Sequence, residues 1–100
     1  MRYAVLFEDA PDADPDLRAR HMPAHLDFLE SAASQILSAG PVRDGGGRPA
    51  GGLWIVEAES DAAVENLIGR DPFLPTGLRK SWRILLWTRV FDGGGRMPAP

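Results

Sequence analysis

The apolar positions along this chain change their spacing several times, and each change marks a different element. Tyr3-Ala4-Val5-Leu6-Phe7 is aromatic and β-branched, too short for a helix, and predicts a buried strand over Arg2–Phe7. Acids and prolines from Asp9 to Pro15 predict a loop, in which Asp14-Pro15 is suited to cap a first helical turn through Arg20. Met22, Leu26, Leu29, Ala33, Ile36 and Leu37 then recur at helical spacing. Pro23 has no N–H and clashes with the preceding turn, so the pattern predicts a helix restarted at Pro23 and running to about Ala39. Gly40-Pro41 stops it.

Pro41-Val42-Arg43 begins a short second strand, Asp44–Gly52 is a glycine-rich hairpin loop, and Leu53–Ala58 is a third strand. Ser60 caps a second helix, Asp61–Ile68, with Ala63, Leu67 and Ile68 as its apolar side. After Asp71-Pro72 the chain turns. Phe73–Lys80 reads as irregular or a short helix, and Trp82–Phe91 as a long last strand. The order β-α-β-β-α-β predicts an α+β fold of ferredoxin-like type, a four-stranded antiparallel sheet with two helices on one face. Residues 1–91 form a single domain in this reading, and 92–100 a flexible Gly/Pro-rich tail.

The strands are apolar on both sides. Trp82, Ile84, Leu86 and Val90 alternate with Leu85, Trp87 and Phe91, and Leu53 and Ile55 alternate with Trp54 and Val56. A sheet covered on one face should be polar on the other. The pattern therefore predicts a homodimer through the free sheet face.

Composition narrows the function classes. One hundred residues is one domain, and 44% hydrophobic with 25% charged residues is ordinary for a globular one. The net charge of −3 is interspersed and Lys80 is the only lysine, so no basic stripe points to nucleic acid. No apolar run approaches a membrane span of ~18 residues. Without cysteine there is no disulfide, thiolate metal site or cysteine nucleophile. The expectation is a cytoplasmic domain with no nucleic-acid or membrane partner.

His25 stands one turn before Leu29, on the side continued by Ala32 and Ile36, so its ring is expected at the helix–sheet junction. At the start of a helix the dipole favours a neutral imidazole able to act as a base. The same position also suits a partly buried histidine satisfied by a backbone carbonyl. Asp71 before Pro72 suits an N-cap, and it also suits a carboxylate that orients His25 if the fold brings the two together. Gly45-Gly46-Gly47-Arg48-Pro49-Ala50 fits a dinucleotide fingerprint only formally, because a strand follows it instead of a helix. His21 and His25 have metal-ligand spacing, but with Pro23 between them and no third ligand a zinc site is not expected.

Several of these stretches together carry a family resemblance. Arg2–Glu8, Pro23-Ala24-His25-Leu26, Ala39-Gly40-Pro41, Ile55-Val56-Glu57-Ala58-Glu59, Asp71-Pro72-Phe73 and Gly77-Leu78 leading to Ser81 resemble the YciI-like (YCII-related) domain family. The likeness covers roughly Met1–Trp87. It implies a dimeric α+β barrel fold related to muconolactone isomerases. It also implies a catalytic histidine and aspartate, which match His25 and Asp71, with Ser81 a weaker polar candidate in the same pocket. Members often carry an arginine directly before the Pro-Ala-His stretch; here Met22 stands there, and Arg20 is the available substitute. The last strand usually ends in Pro-Trp-like residues, where this chain has Leu86-Trp87.

The function expected on these grounds is a small enzyme without a cofactor, of lyase, isomerase or hydrolase type. His25 and Asp71 would serve general acid/base proton transfer on a small polar or aromatic metabolite. The competing expectation is a non-catalytic dimeric module that binds a small ligand or a partner.

Overall fold

The computed structural model describes residues 1–98. Strand β1 (Arg2–Asp9) leads to helix α1 (Leu17–Ser31), strands β2 (Ile36–Arg43) and β3 (Pro49–Glu57), helix α2 (Asp61–Arg70) and strand β4 (Arg79–Leu86). A short 3₁₀ turn, Leu74–Thr76, joins α2 to β4. The sheet order is β2-β3-β1-β4, antiparallel throughout. The predicted ferredoxin-like α+β architecture is the one observed.

Alternation sorts the sheet into two faces. Tyr3, Val5 and Phe7 of β1 sit beside Trp54 and Val56 of β3 and join Phe28, Val64, Leu67 and Ile68 of the helices in one buried cluster. Both helices therefore cover the same face. Ala4, Leu6, Leu53, Ile55 and Leu85 lie on the other, with Leu6 and Leu85 exposed. Gly51 lets β1 and β3 meet: its φ is +143° and a Cβ there would fall 1.8 Å from the Phe7 carbonyl oxygen.

Several boundaries differ from the pattern reading, and β3 already begins at Pro49, inside the loop expected over Asp44–Gly52. Helix α1 starts at Leu17 and passes through Pro23 without a break. The carbonyl that Pro23 leaves without a donor belongs to Ala19, and both residues lie on the exposed side, where water can serve it. The helix also ends at Ser31, well short of Ala39. Ala32 caps it, Gln35 and Ile36 donate back to the Ala32 carbonyl, and Ile36 and Leu37 open β2. Ile36 reaches the core from either geometry, which is why its spacing read as helical; Pro41 is tolerated because β2 is an edge strand.

Strand β4 runs from Arg79 to Leu86, earlier and shorter than Trp82–Phe91. Phe91–Asp92 and Gly95–Arg96 pair as β5 and β6 across Gly93-Gly94, both at positive φ, where a tail was expected from residue 92. Its last residues, Ala99 and Pro100, lie outside the described residues. Among the described residues no helix is long and apolar enough to cross a membrane.

Candidate active site

Three elements bring their polar residues to one point beneath α1. His25 and Phe28, one turn apart, are the buried residues of that helix. Because α1 begins at Leu17, His25 occupies its third turn, and the helix N-terminus has no hold on the ring. Asp71 ends α2 at the point where Pro72 blocks further helix. Arg79 opens β4 beside Asp9 of β1.

The Nδ1 atom of His25 lies 2.8 Å from Oδ1 of Asp71, and the Phe73 N–H donates to the same oxygen at 3.0 Å. Asp71 is the C-cap of α2 and not the N-cap that Asp-Pro suggested, because the next turn starts from Phe73; one carboxylate oxygen accepts from the Phe73 N–H and meets His25. Oδ2 lies 2.8 Å from Nη2 of Arg79, an ion pair without the alignment of a hydrogen bond. The Asp71 side chain is fully buried, and those of His25 and Arg79 are 9% and 6% exposed. The Arg79 guanidinium stacks 3.9 Å over the Phe7 ring, and the His25 ring lies 4.3 Å from that of Phe73.

Burial pushes the Asp71 carboxyl up. The His25 contact, the Phe73 N–H and the Arg79 charge more than reverse this and hold it below the usual carboxylate range. Burial lowers Arg79, and the Asp71 charge opposes the shift. An ionised carboxylate only accepts hydrogen bonds, so His25 Nδ1 carries the proton and Nε2 is the basic atom. Nε2 has no protein partner among the described residues. His25 lines a pocket of about 130 Å³ with Phe7, Met22, Leu29, Trp54 and Arg79. The arrangement is a buried imidazole with one nitrogen against a carboxylate and its ring on a small pocket that Asp9 and Arg18 also line.

The other expected residues lie elsewhere. Ser81 is exposed on β4 beside Glu8 of β1, its hydroxyl 3.3 Å from the Glu8 carboxylate, and it does not line the pocket. Alternation along β4 sends it to the face away from the helices. Arg20 points outward and pairs with Asp14 at 3.1 Å, so it does not replace an arginine at position 22. Arg79 escaped notice in the sequence: an arginine opening a strand carries no local signal in a chain whose basic residues are nearly all arginine. Among the described residues no three His, Asp or Glu side chains group as metal ligands.

A profile of the YCII-related domain matches residues 1–88. The chain belongs to the YCII-related domain family. No curated protein matches this YCII-related chain by sequence. Among solved structures it is similar to the 5-chloro-2-hydroxyhydroquinone dehydrochlorinase TftG of Burkholderia phenoliruptrix AC1100, in complex with 2,5-dihydroxybenzoquinone. The two share 27% identity with a TM-score of 0.70, over 88% of this chain and 94% of that one.

The depressed Asp71 carboxyl ties stability to pH. Its folded pKa lies below the unfolded one, so its contribution is complete above the unfolded value near ~4 and is lost as pH falls through the folded one. Urea titrations across this range should show the wild type losing stability below about pH 4. Asp71→Asn should be less stable by about 3 kcal/mol at pH 7, with that part of the acid dependence flattened. A steep acid loss unchanged in Asp71→Asn would mean that the carboxylate is not ionised in the fold.

Proposed function

We propose that this YCII-related protein is a small-molecule enzyme in which His25 Nε2 removes and returns a proton, oriented by Asp71. The carrying observation is the 2.8 Å contact from Nδ1 to a buried carboxylate, which leaves Nε2 as the basic atom of a pocket-lining ring. Asp71 holds the ring in place and stabilises the imidazolium formed after proton transfer. Likeness to a dehydrochlorinase of a chlorinated hydroxyhydroquinone supports a hydroxylated or quinonoid ring as substrate and elimination or isomerisation as the reaction. In an elimination, His25 takes the proton, the freed electron pair forms the new double bond, and the leaving group departs with its own pair. The imidazolium then returns its proton to water. The chemistry proposed here calls on no cofactor.

The apolar outer face fits the same reading. Leu6 and Leu85, flanked by Leu53 and Ile55, are covered by a second copy, giving a homodimer through the sheets. Sedimentation of the purified chain should return twice the chain mass, and Leu6→Glu with Leu85→Glu should return the monomer. A wild type that sediments as a monomer at micromolar concentration contradicts this arrangement.

The proton-transfer role is tested with 5-chloro-2-hydroxyhydroquinone and related halogenated and non-halogenated hydroquinones. His25→Gln should lower kcat at least about 100-fold, the usual contribution of a general acid–base group, while the melting temperature stays within a few degrees. Undiminished turnover in His25→Gln rules the role out. Ligand binding by the wild type with no turnover of any ring tested favours the non-catalytic module.

A further inference from the structure

The His25–Asp71 pair leaves one group of the pocket unexplained. Arg79 has its side chain 94% buried, yet only Nη2 meets Asp71, and Nη1 has no hydrogen-bond partner. A guanidinium presents five N–H donors in a rigid fork, so pairing at one nitrogen leaves the others without an acceptor. A buried donor without an acceptor is a standing cost to the fold, and native structures seldom keep one without a reason. The guanidinium plane lies against Phe7, 3.9 Å away, and 5.3 Å from Trp54, which fixes the fork as a rigid plate. Phe7, Trp54 and Arg79 line the same pocket as His25.

The pocket's other arginine is already engaged. Arg18 sets one terminal nitrogen 3.0 and 2.9 Å from the two carboxylate oxygens of Asp9. Both arginines keep a terminal nitrogen without a protein acceptor among the described residues, and Arg79 is the one in which that nitrogen is buried.

We propose that the Arg79 guanidinium is the anion-binding group of the pocket and receives a negatively charged oxygen of the substrate. The ligand class is a small flat molecule with a carboxylate, phenolate or enolate oxygen, held between aromatic walls beside the His25 base. This rests on the proton-transfer reading for its chemical purpose. There, the same contact stabilises the enolate-like charge that appears once His25 has taken a proton. As a binding statement it stands separately, and Arg79 is then a group that touches substrate.

The test compares benzoate with its neutral isostere benzamide by calorimetric titration of the full chain. The wild type should bind benzoate about tenfold more tightly, the increment of one charge-assisted hydrogen bond. Arg18→Gln and His25→Gln should keep that preference, and Arg79→Lys should lose it, because the ammonium serves Asp71 and offers no second nitrogen. Arg79→Lys also disturbs a buried pair, so the assignment is read a second time in the wild type. The Arg79 side-chain N–H signals should shift on adding benzoate and stay in place with benzamide.

Equal affinity for the two probes in the wild type overturns the proposal. So does a preference that disappears in Arg18→Gln or persists in a folded Arg79→Lys, and so do unmoved Arg79 signals at saturating benzoate. A His25→Gln protein that keeps both its benzoate preference and its turnover overturns the proton-transfer reading alone.

Discussion

One buried carboxylate organises this domain. Asp71 has no exposed side-chain surface, and it meets His25 from α1, the Phe73 N–H of the turn after α2 and Arg79 at the start of β4. Taking a carboxylate out of water costs several kcal/mol unless its oxygens are matched by donors and opposite charge. Here the matching groups come from three separate elements, so the ion is affordable only when all three are docked. Stability and site geometry thus depend on the same contacts.

The arrangement also divides labour along the imidazole. Asp71 and its partners engage the Nδ1 side, and the Phe73 ring packs 4.3 Å from that of His25. What remains is Nε2, beside Phe7, Trp54 and Arg79. Low-dielectric walls strengthen each polar contact made within them, and the sheet supplies such walls through the alternation that builds the core. The polar cluster is an inclusion at the margin of that core, beside a pocket of about 130 Å³.

Much of this was legible in the sequence. Alternating apolar runs, the Ser60 cap and the order of elements led to the ferredoxin-like topology, and the Ser60 hydroxyl does accept from the Ala63 N–H at 3.2 Å. His25 was expected at the helix–sheet junction and is found there. The end of α1 was not legible, since Ile36 satisfies both helical spacing and an inward strand position. Pro23 misled in the other direction, because its cost depends on whether the orphaned carbonyl reaches water, which spacing alone does not reveal. Arg79 was out of reach for a different reason: its importance comes from Asp71, eight positions away across a turn, and from the Phe7 ring on another strand. Ser81 entered through family likeness, and strand alternation turns it to the opposite face.

The central claim is that an ionised Asp71 fixes the His25 tautomer and so leaves Nε2 as the base. Long-range proton–nitrogen correlation NMR of the neutral ring, in the wild-type protein at alkaline pH, reads this directly. The account predicts a protonated Nδ1 and a bare Nε2. A ring found with the proton on Nε2 would set a lone pair against Oδ1, require a protonated carboxyl, and contradict it.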